Sequence, residues 1–185
     1  MPLPQSEFIV NIEHVSKHFQ QGSVVVKAIN DLSLTFEAGE FAALCGPSGS
    51  GKTTLLNMIG GLDLPTKGAV YLESQDLSTL SRAALSQLRR DRIGFVFQAY
   101  NLIQVMSAYE NAEFVLALQG VPKAQRRERV MSMLEKVGLK GLESRRPDEM
   151  SGGQQQRVAI ARAMVTHPAV ILADEPTANL DSENA

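Results

Sequence analysis

Residues 46–54 of the chain are GPSGSGKTT, which match the pattern GxxxxGK[ST]. The apolar stretch FAALC precedes them, and the spacing of Leu55, Met58, Ile59 and Leu62 predicts a helix after them that ends at Gly60-Gly61. Glycines let a backbone curl so that its amide groups point inward at an anion, and the positive end of a following helix faces the same anion. A phosphate-binding loop between a buried strand and a helix is therefore predicted, rather than a plain turn.

The other side chains of this loop suit a nucleotide with a bound metal ion. Lys52 can reach the β- and γ-phosphates and is a candidate catalytic residue, and the Thr53 hydroxyl can ligate Mg²⁺. The predicted phosphate-binding residues are Gly46, Pro47, Ser48, Gly49, Ser50, Gly51, Lys52, Thr53 and Thr54. Cys45 is predicted to be a small buried residue at the end of the strand rather than a redox switch.

A second apolar stretch, VILA, ends in two acids, Asp174 and Glu175. Parallel α/β sheets bind ligands at the carboxyl ends of their strands, which is where these acids are expected. Asp174 would complete the Mg²⁺ shell opposite Thr53, and Glu175 would orient or deprotonate the attacking water. The alternative is a solvated strand end with ordinary acids, which the phosphate-binding loop in the same chain disfavours.

The stretch SGGQQQRVAIARAM predicts a second helix whose amino end suits an anion. Ser151 and Gln154 have the spacing of a capping box, and Gly152 and Gly153 free the first amides to approach a phosphate. One nucleotide does not need two such sites from one subunit. A dimer is therefore expected, in which the second site of each subunit closes on the nucleotide of the other.

Composition narrows the class of protein. The chain has 185 residues, of which 44% are hydrophobic, so one domain with a substantial core is expected. Its formal net charge of -2 gives no reason to expect nucleic acid as a partner, and its single cysteine excludes an internal disulfide. The amino-terminal residues lack the features of a signal peptide, and no apolar run approaches the roughly 18 residues of a membrane span. At a membrane, another chain would have to span it.

The remaining pattern predicts a β-rich start, two αβ units and a helical part between them. FIVNIEHV and SVVVKAI are expected to be strands, interrupted by turns at Gln21-Gly22 and Asn30-Asp31. IGFVFQ and AVILA are expected to be buried strands. Helices are predicted for LSRAALSQLRRDR, for SAYENAEFVLALQ and for KAQRRERVMSMLEK, with Val130, Met133, Leu134 and Val137 as an apolar stripe on the last.

Together these stretches resemble the nucleotide-binding domain of an ABC transporter. GPSGSGKTT resembles its Walker A motif, SGGQQ its signature, VILADE its Walker B motif, NLD its D-loop, FVFQ its Q-loop and VSKHF its A-loop. The resemblance implies an α/β fold: a P-loop NTPase core with a mostly parallel sheet, an N-terminal antiparallel β subdomain and an inserted α-helical subdomain. On this basis residues 1–98 and 165–185 are assigned to the core and β subdomain, and 99–164 to the helical subdomain and signature helix.

The resemblance also implies roles for single residues. Phe19 would stack on adenine, the alternative being a core Phe at a strand end. Gln98 would contact the Mg²⁺ and water shell, the alternative being a polar residue that ends a strand. Ser151, Gly152, Gly153 and Gln154 would contact the γ-phosphate across a homodimer, and Asp181 would belong to the D-loop.

The implied function is ATP hydrolysis that drives a transmembrane permease, with ATP and Mg²⁺ as cofactors. The protein would bind peripherally to the cytoplasmic face of the inner membrane, and nucleic acid would not be a partner. IGFVFQAYNLIQVMSAYENAEFVLALQG resembles the lipoprotein-release, macrolide-efflux and cell-division group, whose work is export, lipoprotein release or mechanical work. The alternatives are a nucleotide-binding fragment with little or no hydrolysis and a soluble non-transport ABC ATPase. Because the family continues beyond the D-loop with a strand and a switch histidine, this chain by itself is expected to be unstable and poorly active.

Overall fold

The computed structural model describes residues 8–178. The chain divides into two compact units with the boundary between Gln87 and Leu88. The first contains β1 (Phe8–Gln21), β2 (Val24–Glu37), α1 (Lys52–Ile59), β3 (Lys67–Leu72) and β4 (Gln75–Asp76), and the boundary falls within α2 (Arg82–Arg92). The second contains β5 (Ile93–Val96), α3 (Ala108–Leu118), α4 (Lys123–Lys136), α5 (Gly152–Met164) and β6 (Val170–Ala173).

The first unit has a four-stranded antiparallel sheet in the order β2-β1-β3-β4. β1 and β2 form a long hairpin around the predicted turn at Gln21-Gly22. Gly22 has φ 59°, a left-handed conformation that glycine adopts without strain. Ile12 of β1 pairs with Val70 of β3, and both side chains are buried. The predicted N-terminal antiparallel part is confirmed. β3 and β4 were not predicted, because β3 pairs with β1, which is distant in the sequence, and β4 has only two residues.

The predicted turn at Asn30-Asp31 is wrong, because β2 continues through both residues. The β1–β2 register shifts on either side of Val15, and His14 and Asp31 have φ 49° and 51°. Asp and His are among the residues that tolerate a left-handed conformation, so the chain accommodates them as an irregularity within the ladder. The strand therefore continues through this irregularity.

Residues 41–45 do not form the buried strand predicted before the phosphate-binding loop. Phe41 is 98% exposed, and Cys45 is exposed rather than buried as predicted. An apolar strand covered on both faces needs hydrogen-bonded neighbours, and no strand pairing within residues 8–178 includes this stretch. The apolar composition of this stretch is compatible with a buried strand. A strand forms, however, only where another strand pairs with it.

The helix after the loop is confirmed as α1, with Leu55, Met58 and Ile59 buried. It ends at Gly60, whose N–H donates to the carbonyl of Leu56 at 2.8 Å. Leu62, the fourth member of the predicted stripe, lies beyond this end and is exposed. The glycine pair stops the helix before the periodicity reaches Leu62.

The second unit has a parallel pair of strands, in which Ile93 of β5 lies opposite Val170 of β6 and Val96 opposite Ala173. Both strands were predicted. β6 is less buried than expected, because the Ile171 side chain is 45% exposed. Gly94 of β5 allows a close approach to α5, since a Cβ built on it would lie 2.5 Å from the carbonyl oxygen of Ala163.

Helices α3, α4 and α5 pack around one apolar cluster of the second unit. Val130 and Leu134 of α4 are fully buried in it and Met133 nearly so, which confirms the predicted stripe, while Val137 is partly buried. α3 begins with a capping box between Ser107 and Glu110. The predicted helical part is therefore present, with one core of its own.

Candidate functional site

The phosphate-binding loop has the backbone that its glycines imply. Gly49 and Gly51 have φ 79° and 93°, values that favour glycine. A Cβ built on Gly51 would lie 2.6 Å from the carbonyl oxygen of Ala28, so a larger residue does not fit. Gly51 is also the N-cap of α1 and has no side chain that could bond the first amides. The amino end of α1 therefore suits an anion such as a nucleotide phosphate.

Lys52 lies over this loop. Its ammonium donates to the carbonyl oxygens of Gly46 and Pro47 at 2.9 and 3.0 Å. These contacts hold the positive charge at the centre of the curled backbone, where a phosphate group would displace them. Thr53, the predicted metal ligand, follows in the first turn of α1. The donor set therefore fits a Mg²⁺-nucleotide.

Phe19 is not a core residue. It lies near the end of β1 opposite Val26 of β2, and its side chain is 39% exposed. The ammonium of Lys17 lies 5.0 Å from the centre of its ring, a cation–π distance. Lys17 is held in place by Asp63 Oδ1 at 2.6 Å and the Leu64 carbonyl at 2.8 Å. The anchored Lys17 ammonium thus contacts the Phe19 ring, and the exposed part of the ring is accessible to a flat ligand.

The second unit brings two of the predicted metal ligands to one sheet edge. Asp174 directly follows β6, and its N–H donates to the carbonyl of Val96, the last residue of β5, at 2.9 Å. Gln98 lies in the turn two residues beyond Val96. Because β5 and β6 are parallel, both side chains belong to the carboxyl edge of the sheet, as expected.

Glu175, the predicted base, is exposed and has φ 46°. A left-handed conformation is unfavourable for a residue with a Cβ, so surrounding contacts must hold it. The next turn is closed by a hydrogen bond from the N–H of Ala178 to the carbonyl of Glu175 at 3.1 Å. The carboxylate is therefore presented to solvent from a defined turn.

The signature stretch has the predicted capping box. Ser151 is the N-cap of α5: its Oγ accepts from the N–H of Gln154 at 3.3 Å, and its own N–H donates to Gln154 Oε1 at 3.0 Å. Met150, which precedes it, is buried. Gly152 and Gly153 form the first helical residues. The capping box thus fixes the amino end of α5, and glycines occupy its first two helical positions.

Two polar side chains of α5 belong to the candidate site and were missed from the sequence. Gln156 Nε2 donates to the carbonyl of Pro176 at 2.6 Å, next to Glu175. Arg162 donates to the carbonyls of Tyr100 and Asn101 at 2.9 and 2.6 Å, just after Gln98, and burial lowers the pKa of its guanidinium. The burial of Gln156 could have been predicted from the sequence, because Gln156 lies at i, i+3, i+7 spacing with Ala159 and Ala163, which are buried.

The predicted residues are thus divided between the two units. Phe19 and Gly46–Thr54 belong to the first, and Gln98, the signature, Asp174 and Glu175 to the second. Asp181 lies outside the described residues. Within residues 8–178 no three His, Cys, Asp or Glu side chains cluster as a metal site, and no helix there has the length and apolarity of a membrane span.

Known proteins are similar to this chain in sequence and in structure. The profile of the ABC transporter family matches residues 29–178. An ABC transporter ATP-binding protein of Thermotoga maritima is 46% identical over 175 residues, which is 95% of this chain and 75% of the relative. The ABC transporter ATP-binding protein YtrE of Bacillus subtilis is 43% identical over 179 residues, covering 95% of this chain and 78% of YtrE.

Two further similarities concern a permease fusion and a dimer. The macrolide export ATP-binding/permease protein MacB of Brucella melitensis is 46% identical over 176 residues, which is 95% of this chain but only 27% of MacB. A dimeric ATP-binding cassette in a post-hydrolysis state with ADP and Pi has a TM-score of 0.88 and 42% identity, over 95% of this chain and 77% of that one. A dimeric bacterial ABC transporter cassette matches with the same values.

Proposed function

Because this chain belongs to the ABC transporter ATP-binding proteins and is an ATPase cassette, we propose that it hydrolyses Mg²⁺-ATP as a homodimer and transmits the resulting motion to a membrane permease. The observation that carries the catalytic part is the shared sheet edge. Parallel pairing places Gln98 and Asp174 at the carboxyl ends of β5 and β6, with Glu175 next in the chain. This arrangement of side chains supports a role in metal-assisted phosphoryl transfer.

We assign the binding of the nucleotide to the phosphate-binding loop, to Phe19 and to the predicted metal ligands. Lys52 and the backbone of Gly46–Thr54 bind the β- and γ-phosphates, and the exposed face of Phe19 stacks on adenine. Thr53, Asp174 and Gln98 would hold Mg²⁺, and a metal ion bound there would supply positive charge to the phosphate oxygens. The support is the donor set around the loop and the exposure of the Phe19 ring.

Glu175 is assigned the role of base. A water oxygen attacks the γ-phosphorus, the bond from that phosphorus to the bridging oxygen of ADP breaks, and the water proton passes to the Glu175 carboxylate. General-base assistance of this kind contributes about 10²- to 10⁴-fold in rate. The exposed position of Glu175 next to the metal ligand Asp174 supports this role.

Replacement of Glu175 tests the assignment. In Glu175→Gln the amide cannot accept the proton, so we expect kcat for ATP hydrolysis to fall about 10²-fold or more while ATP binding is unchanged. A dimer with bound ATP should accumulate on size-exclusion chromatography. Glu128→Gln on α4, which removes an exposed carboxylate from another helix, is the matched control. Unchanged ATPase activity in Glu175→Gln would remove Glu175 from this role.

We assign the signature to the nucleotide of the partner subunit in the homodimer. Its helix start is already ordered by the capping box of Ser151, and Gly152 and Gly153 leave room for a phosphate group of another subunit. Asp181 is assigned to the D-loop that crosses between subunits. Support for the dimer comes from the cassettes of similar structure, which were solved as dimers, one of them with ADP and Pi.

A permease partner would place this protein at the cytoplasmic face of the membrane. Support comes from the name of MacB, an ATP-binding/permease protein of which this chain resembles about a quarter. In the helical part, Val105 and Leu118 are apolar side chains exposed to solvent and suit an apolar partner surface. The similarity to MacB, a macrolide export protein, also supports membership of the lipoprotein-release, macrolide-efflux and cell-division group.

A further inference from the structure

Gln156 is a polar side chain in the core of the second unit. It lies in the second turn of α5, and only 2% of its surface is exposed. A buried amide is unfavourable unless its polar atoms are hydrogen-bonded. Gln156 satisfies one of them by donating from Nε2 to the carbonyl of Pro176 at 2.6 Å, while Oε1 has no partner within residues 8–178. The acceptor is a carbonyl oxygen, which determines which end of the amide faces it.

The bond acts on the turn that carries Glu175. Proline restricts the conformation of the residue before it to extended backbone, yet Glu175 has φ 46°. Hydrogen bonds at this turn run from the Asp174 N–H to the carbonyl of Val96, from the Ala178 N–H to the carbonyl of Glu175, and from Gln156 to Pro176. The Gln156 bond comes from a side chain, and it joins the turn to the helix that begins with the signature.

We propose that Gln156 is a positioning residue, which holds the Pro176 peptide against α5 and thereby orients the Glu175 carboxylate for attack by water. Its partner atom is one peptide away from Glu175, so a loss of the bond lets the turn relax toward the backbone that proline favours. Because Gln156 is five residues from Ser151 on one rigid helix, it also connects the signature to the base. The inference rests on the proposed role of Glu175.

The test compares Gln156→Met with Glu175→Gln and with the double variant. Methionine keeps the length and burial of the side chain but cannot donate to Pro176. We expect kcat to fall about 10- to 100-fold, since small misplacements of catalytic groups have effects of this size, with KM for ATP within about twofold. In the Glu175→Gln background the same change should have no further effect on kcat, because Gln156 acts through Glu175.

Gln119→Leu is the matched control, since Gln119 also donates a side-chain amide to a backbone carbonyl of this unit, that of Arg90, at 3.0 Å. Activity is expressed per nucleotide-binding site, titrated with a fluorescent ATP analogue, so that unfolded molecules do not count. If Gln156→Met does not fold, Gln156→Asn, one methylene shorter, takes its place with the same expected split between kcat and KM.

The outcomes separate the two proposals. A loss of kcat in Gln156→Met that disappears in the Glu175→Gln background supports the positioning role. Unchanged kcat in Gln156→Met, or an equal further loss in the double variant, overturns it even when Glu175→Gln is inactive. If Glu175→Gln is fully active, the assignment of the base fails, and the role of Gln156 fails with it.

Discussion

Glu175 has a left-handed backbone conformation, and so do Tyr100 and Asn101, which follow β5 of the parallel pair. Such residues cost about 1 to 2 kcal/mol each in strain, so they persist only where contacts hold them. Side chains of α5 supply some of these contacts: Arg162 donates to the carbonyls of Tyr100 and Asn101, and Gln156 to that of Pro176. Single side chains of the signature helix thus fix the backbone of both loops at the sheet edge.

The exposed ring of Phe19 provides a test at the residue scale. Stacking of a base on an aromatic ring is worth about 1 to 3 kcal/mol, so Phe19→Ala should raise KM for ATP about 10-fold while kcat stays the same. Steady-state kinetics and titration with a fluorescent ATP analogue measure this. Phe19→Tyr keeps the ring and should bind ATP normally.

Phe114 on α3 is the control for this experiment, because its side chain has the same exposure of 39%. Phe114→Ala should leave KM for ATP unchanged. A Phe19→Ala variant that binds ATP as tightly as the parent protein would show that the ring does not stack on adenine.

At the scale of elements, α5 is the centre of the second unit. It packs against α3 and β5, and the missing side chain of Gly94 lets β5 approach the carbonyl of Ala163. Its amino end is fixed by the capping box of Ser151 and its flank by Gln156 and Arg162. A movement of the signature would therefore move the helix as a unit, together with the loops bonded to it.

Asn111 on α3 fixes the connection between β5 and α3. It is fully buried, its Oδ1 accepts from the N–H of Ile103 at 2.8 Å, and its Nδ2 donates to the carbonyls of Ile103, Met106 and Ser107 at 3.0 to 3.1 Å. Asn111→Leu removes these four side-chain hydrogen bonds from a buried connection. We expect it to lower the free energy of unfolding by about 2 to 4 kcal/mol, measured by urea denaturation.

Gln104→Leu serves as the control in the same connection. Gln104 is exposed, and its contact with the Leu102 carbonyl is long, at 3.5 Å. Its replacement should change the stability by less than about 0.5 kcal/mol. Equal stability of Asn111→Leu and the parent protein would contradict the assigned role of Asn111.

At the scale of the whole molecule, the candidate functional residues are divided between the two described units. The first has the phosphate-binding loop and the Phe19 ring, and the second has the metal ligand Asp174, the base and the signature. A dimer in which the signature meets the nucleotide of the other subunit gives the second anion-binding helix start a ligand. This proposal predicts that ATP binding and dimer formation can be separated by mutation.

Gly153→Asp, introduced into Glu175→Gln, makes this separation. A carboxylate at the signature would repel the γ-phosphate of the partner's nucleotide, so we expect the ATP-dependent dimer to disappear on light scattering. ATP binding by each subunit should stay within about twofold. An acid in the first turn of a helix is favourable, so unfolding of α5 is not the expected cause.

Ser132→Asp on α4 adds the same charge at an exposed position and should leave the dimer intact. A persistent ATP-dependent dimer in Gly153→Asp would show that the signature does not meet the partner's nucleotide.

Local chemistry let the sequence by itself determine much of this protein. Three local patterns were enough for a prediction: Gly46 to Thr53 predicted the loop, Ser151 to Gln154 the capped helix, and the acids after VILA the strand end. The capped helix and the strand end have the predicted geometry. These features depend on residues a few positions apart, so backbone preferences and hydrogen bonds within one turn decide them.

Tertiary structure alone decided what depends on distant pairing. The stretch 41–45 has the composition of a buried strand but has no paired neighbour in the described residues, and Asn30-Asp31 is absorbed into a strand because β1 runs beside it. Gln156 and Arg162 are ordinary polar residues in the sequence. They became part of the site only because the fold brings Pro176, Tyr100 and Asn101 within hydrogen-bond distance of α5, across up to 62 residues of chain.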